Sequence, residues 1–126
     1  MRIPTGVPIG LVAKITGPRG FREIDMILDT GAAYTTISWD VARDIGYDPA
    51  IAEKRAHIIT ANGVVEVPLI VVQSICFGEL KLDNVEVICH DIPELIEIEG
   101  MLGLSFLRHF KTNINYKEKF VEIIDP

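Results

Sequence analysis

The chain reads as short apolar or alternating runs broken by turn residues, the texture of a mostly β protein. Leu11 to Thr16 and Phe21 to Leu28 flank Gly17-Pro18-Arg19-Gly20 and predict a hairpin. The second of these runs alternates through Arg22, Glu23, Ile24 and Asp25, then turns wholly apolar at Met26-Ile27-Leu28. That change predicts a strand passing from a sheet edge into the core just before Asp29. Ser38 to Gly46 predicts a short helix, with Ser38 as N-cap, Asp40 in the first turn and Gly46 as the stop. Residues 56 to 72 predict a second hairpin, because Ala61-Asn62-Gly63 separates Ile58-Ile59-Thr60 from Val64-Val65-Glu66-Val67. Pro68 has no N–H to give, so its stretch belongs at an edge or a bulge.

Further strands are expected at Val71 to Phe77, Leu80 to Leu82 and Val85 to Cys89, separated by Gly78-Glu79 and Asp83-Asn84. Gly100-Met101-Leu102-Gly103 then leads into an expected short helix, Leu104 to Phe110. Lys111 to Tyr116 and Lys119 to Ile124 predict a last hairpin across Lys117-Glu118. No period of 20 to 50 residues recurs, which argues against a solenoid.

With 126 residues, 48% of them apolar, the expectation is one domain over residues 1–126 with a continuous core. The net charge of −6 argues against nucleic acid as a partner, since no basic face would displace phosphate counterions. The charges are scattered apart from a small acidic cluster at Glu94, Glu97 and Glu99. No apolar run approaches the roughly 18 to 20 residues that spanning a bilayer takes, so no membrane partner is expected. The N-terminal residues lack a long apolar segment, which argues against a cleaved secretory signal, and a cytoplasmic location is the expectation. Cys76 and Cys89 sit in apolar runs and read as reduced core thiols. His57, His90 and His109 have no metal-ligand spacing, and neither a metal nor a cofactor is expected.

The candidate chemistry is Asp29-Thr30-Gly31-Ala32 at the end of the apolar run Ile24 to Leu28. A carboxylate at a strand tip, followed by a small hydroxyl residue and a glycine, reaches a cleft while backbone N–H groups hold its ionised form. Paired with an equivalent carboxylate it could share a proton and activate a water. The chain has one such motif, and that chemistry needs two.

The whole set of landmarks resembles the retropepsin-like aspartic proteases. These are the apolar strand ending in Asp29-Thr30-Gly31-Ala32 and continued by Ala33-Tyr34-Thr35-Thr36-Ile37, the central hairpin Ile58 to Val67, and Met101-Leu102-Gly103 running into Leu104-Ser105-Phe106-Leu107. In order, they cover roughly residues 10 to 124. The resemblance implies a closed β-barrel-like acid-protease half-fold with one or two short helices. It also implies a homodimer that acts as an aspartic endopeptidase on a protein or peptide substrate.

By that resemblance Asp29, Thr30 and Gly31 are the catalytic residues. Two Asp29 carboxylates, one from each subunit, would activate a water, because like charges about 3 Å apart share one proton; the aspartic proteases are themselves the standard illustration of that effect. Thr30 would bond the other subunit's loop, and Gly31 would let the backbone approach the carboxylate. Substrate contacts are expected from Ala32, Ala33 and Tyr34 and from the hairpin tip Ala61, Asn62 and Gly63. Ala32 stands where pepsin-like enzymes often carry a hydroxyl that stabilises the ionised aspartate. The expected activity optimum is therefore nearer neutral than pepsin's, with Ala32→Ser moving it toward acid in a pH–rate profile. The chain departs from the retroviral pattern at Ala33-Tyr34, where acidic residues are common, and at Leu104-Ser105, where Arg followed by Asn or Asp is common.

Two other readings compete. Asp-x-Gly after an apolar strand also occurs in actin-like and sugar-kinase ATPases, but those need two large domains and a second phosphate loop, which nothing here supplies. The other is a catalytically silent aspartyl-protease-like module kept for dimerisation or peptide binding, whose cleft would take extended peptides by β-augmentation.

Overall fold

The computed structural model describes residues 2–4, 6, 8–93 and 97–125; Glu94, one of the three residues of the acidic cluster, lies outside them. The chain folds mainly into strands. They are β1 (Arg2–Pro4), β2 (Gly10–Gly17), β3 (Gly20–Leu28), β4 (Thr35–Ile37), β5 (Lys54–Thr60), β6 (Gly63–Phe77), β7 (Leu80–Cys89), β8 (Gly100–Leu102), β9 (Lys111–Asn115) and β10 (Phe120–Ile124). Two short helices, α1 (Trp39–Asp44) and α2 (Leu104–Leu107), and a 3-10 turn at Pro49–Ile51 complete the order.

Strands β2, β3, β8, β4, β7 and β6 follow one another in one sheet, and β2 pairs again with β6, so the sheet closes into a six-stranded barrel. Closure pairs β2 with the second half of β6, so neither is left as an open barrel edge. The inward positions of each strand meet inside: Ile15 from β2, Ile24 and Met26 from β3, Val72 and Ile75 from β6, Val85 and Val87 from β7, and Leu102 from β8 are fully or almost fully buried. Phe106 of α2 plugs the same core at 0% exposure. Strand β5 extends the sheet outside the barrel by pairing only with the first half of β6. A separate three-stranded sheet, in the order β1-β10-β9, packs Val121 and Ile123 onto the core.

The expected hairpins form. Gly17 pairs with Gly20 across Pro18-Arg19, and Thr60 pairs with Gly63 across Ala61-Asn62. In the second, the left-handed backbone falls on Gly63 (φ 112) and not on Asn62, so the turn is not the Asn-Gly type in which both central residues have positive φ. The Thr60 hydroxyl accepts from the Asn62 N–H at 3.2 Å and donates to the Gly63 carbonyl at 3.0 Å, which closes this turn instead. Helix α1 starts as predicted: Ser38 Oγ accepts the Val41 N–H at 3.2 Å, and Gly46 (φ 106) ends it.

Three expectations are revised. First, β6 and β7 are unbroken strands with one register throughout; Pro68 sits where β6 has only β5 beside it, since pairing with β7 begins at Leu69. Asp83-Asn84 does not interrupt β7, because Asn84 adopts a positive φ of 54 without shifting that register. Second, α2 is shorter than Leu104 to Phe110: His109 and Phe110 donate to Phe106 and Leu107, three residues back, so the helix tightens and unwinds before β9. Third, Gly100 to Leu102 is a strand in its own right, and β1 is a strand that no local pattern predicts.

Candidate active site

The site is built by a crossing. Strands β3 and β4 lie on either side of β8, parallel and antiparallel to it respectively, so residues 29–34 must pass over the end of β8 to join them. The backbone of β8 holds this loop from below. The Asp29 N–H donates to the Leu102 carbonyl at 2.9 Å, and the Leu104 N–H donates to the Ala32 carbonyl at 2.8 Å. Between these bonds lies Gly103. A Cβ there would come within 2.5 Å of the Tyr34 carbonyl and 2.8 Å of the Ala32 carbonyl, so no other residue lets the two segments approach so closely.

Asp29 is half-buried at the end of β3. Its Oδ1 accepts the Gly31 N–H at 3.0 Å, and its carbonyl accepts the Ala32 N–H at 3.3 Å. The carboxylate is thus oriented by its own loop, the arrangement expected of an Asp that starts a tight turn. Thr30 and Gly31 are exposed beside it.

Asp29 opens onto a cleft of about 430 Å³. One wall is the loop itself, Gly31 to Tyr34; the other is the β5 arm of the hairpin, at His57, Ile58 and Ile59. Ile88 of β7 and Met101 of β8 close the floor between them. The lining is mainly apolar, as is usual for a cleft that takes a ligand. Tyr34 and Ile58 also pack on a small cluster of Ala56, Val67, Leu69 and Ile88 at the hairpin base, so the loop and the hairpin share a foundation.

The structure therefore brings Asp29, Gly31, Ala32, Ala33 and Tyr34 together in one cleft and leaves Thr30 at its margin. It does not bring Ala61, Asn62 or Gly63 to the lining; the arm behind the tip does that. Sequence reasoning missed Thr36, His57, Ile58, Ile59, Ile88 and Met101 as lining. His57, Ile58 and Ile59 are consecutive in β5, so strand alternation alone would put them on opposite faces and does not mark all three as lining. Ile88 and Met101 are brought beside the loop by pairing with Thr36 of β4, distant in sequence.

The electrostatics around the cleft are modest. His57 Nε2 lies 3.6 Å from Glu66, and Arg55 lies 3.7 Å from the same carboxylate, both pairs largely exposed and therefore weak. Cys89, at the end of β7 beside Ile37, is a free buried thiol. Burial, with the nearby Asp91 adding to it, pushes its pKa up to about 12. Cys76 is also free and half-buried, in keeping with two reduced thiols. Among the described residues, no group of three or more His, Cys, Asp or Glu side chains is placed to hold a metal ion, and no helix is long and apolar enough to cross a membrane.

Comparison with known proteins agrees with this geometry. A family described as "gag-polyprotein putative aspartyl protease" matches residues 19–109, from the first hairpin to the end of the Gly103 segment. The chain belongs to this aspartyl protease family. A retropepsin-like aspartic protease from Rickettsia conorii shares the fold, with a TM-score of 0.72 at 21% sequence identity, over 98% of this chain and 88% of that one. An uncharacterized protein in the cobV 5′ region of a Sinorhizobium species is 30% identical over 86 residues, 68% of this chain. The chain spans only 36% of that relative's length. The mostly β, closed-barrel half-fold with two short helices is thus the retropepsin-like one.

Proposed function

We propose that the chain is an aspartic endopeptidase active as a homodimer, in which Asp29 of each subunit supplies half of the catalytic pair. The observation that carries this reading is one oriented carboxylate at the mouth of an apolar cleft, with a projecting hairpin as the opposite wall, in a chain of an aspartyl protease family. A single carboxylate cannot be both the base that takes a proton from water and the acid that gives one to the developing oxyanion. Two of them, close enough to share a proton, divide those roles.

In this mechanism the ionised Asp29 takes a proton from a water held between the pair, and that water attacks the scissile carbonyl. The protonated partner donates to the carbonyl oxygen, giving a diol. The first Asp29 then passes the proton it took from water to the amine nitrogen as the C–N bond breaks, and the partner takes back a proton from a diol hydroxyl as the carboxyl product forms. Gly31 keeps the carboxylate aimed through its N–H, Thr30 is free to bond the other subunit's loop, and the hairpin covers an extended peptide. The chemistry uses neither a metal nor a covalent intermediate.

The test is cleavage of a peptide library by the wild-type chain and by Asp29→Asn, with sedimentation at micromolar concentration. Cleavage by the wild type alone, from a dimer, is the expected result. Cleavage that persists in Asp29→Asn removes Asp29 from the chemistry, and peptide binding without cleavage by the wild type favours a silent binding module.

A further inference from the structure

Two buried hydroxyls outside the cleft hold the Asp29 loop from behind. Thr35 opens β4 at 0% exposure and Ser105 lies in α2 at 4%. The Thr35 N–H donates to Ser105 Oγ at 2.8 Å, and the Gly103 N–H donates to Thr35 Oγ1 at 3.1 Å. Neither N–H has water to turn to, so each hydroxyl accepts a bond whose loss leaves a buried donor unsatisfied.

The two bonds add side-chain ties between three segments: the end of the Asp29 loop, the turn after β8, and α2. They alternate with the backbone bonds Asp29 to Leu102 and Leu104 to Ala32, so the loop is fastened at both ends of its crossing. Close contact at Gly103 makes the fastening stiff, because the loop carbonyls already lie where a side chain would be. A shift of Gly103 would carry the Ala32 carbonyl with it, and with Ala32 the turn that aims Asp29.

We propose that Thr35 and Ser105 are positioning residues, a hydroxyl clamp that fixes the Asp29 loop at the spacing catalysis needs; this rests on the aspartic hydrolase reading above. Neither side chain lines the cleft, so the clamp acts on turnover and not on substrate binding. Misplacing a reacting group by about 1 Å can cost roughly 100-fold in rate, which sets the scale of the effect.

The test compares Ser105→Ala and Thr35→Val, which each remove a hydroxyl, with Thr35→Ser, which keeps one, all in the full chain. Melting curves first establish that each variant is folded at the assay temperature. The expected result is a kcat lower by about 10- to 100-fold in the first two, with KM within about twofold, and near-normal kcat in Thr35→Ser. Amide exchange should quicken at Gly31 and Ala32 in the first two variants while strands β2 and β3 keep their protection. Unchanged kcat in both, or exchange that rises evenly through the barrel, overturns the clamp. If the wild type cleaves no peptide the hydrolase reading falls, and the exchange pattern decides the clamp alone: local quickening supports it, and none rejects it.

Discussion

The loop that carries Asp29 and the hairpin that faces it form two walls of one cleft, yet they are built in opposite ways. The loop is short, crosses over β8, and is tied by backbone bonds to Leu102 and Leu104 and by buried hydroxyls behind. The hairpin tip stands clear of the barrel: Ile59 is 88% exposed and its cross-strand partner Val64 68%. Its tip is closed by its own strand pairing and the Thr60 hydroxyl. One wall has no freedom to trade, and the other exposes apolar side chains that gain by covering something. That division suits a site whose reacting groups must stay fixed while a long substrate enters and leaves.

The largest effect expected from this contrast is at Gly103. Gly103→Ala puts a methyl group against the Ala32 and Tyr34 carbonyls and should destabilise the fold by about 3 kcal/mol, read by urea unfolding. A loss under about 0.5 kcal/mol, the level of an ordinary surface change, would mean that the loop can move and would erase the contrast.

Comparable in size, though spread over several pH units, is the alkaline limb of stability. Cys89 sits on the fixed side, and its folded pKa is raised by burial from 9.0 to about 12. Its contribution is fully present below about pH 9. Between about 9 and 12 the unfolded chain loses this proton while the folded chain keeps it. Stability should therefore fall as pH rises through that window, by up to about 1.4 kcal/mol per pH unit. Tyr47, also raised by burial, adds to the same slope. Cys89→Ala should flatten the limb, read by urea unfolding across the same pH range.

Smaller effects belong to the hairpin. Gly63→Ala meets open space but must adopt a positive φ of 112, so its cost should be the backbone strain alone, about 1–2 kcal/mol. Ile59→Ser with Val64→Ser should leave stability within about 0.5 kcal/mol while raising KM for peptide. If that pair instead destabilised the chain as much as Gly103→Ala, the hairpin would be part of the packed body and not a cover.

Local signals in the sequence carried the hairpins, the α1 caps and the Asp29 motif, because a turn or a cap is decided by residues within a few positions. The Gly17-Pro18-Arg19-Gly20 turn and the Ser38 cap are of this kind. What sequence could not show depends on partners far along the chain. Strands β4 and β8 are three residues each and exist only because they pair with each other and with β7 and β3. The crossing that makes Gly103 indispensable, and the arrival of Ile88 and Met101 in the cleft, follow from those pairings. Asn84 shows the converse: a turn-like dipeptide predicts a break, yet the ladder on both sides of it keeps one register through β7.

The most direct measurement mixes the wild-type chain with Asp29→Asn, after the mixture has had time to exchange subunits, and follows peptide cleavage at fixed wild-type concentration. If each site takes one carboxylate from each of two chains, rising amounts of the variant should draw wild-type chains into mixed dimers and drive activity toward zero. Activity that stays constant as the variant is added would show that one chain is sufficient, and would contradict the shared site.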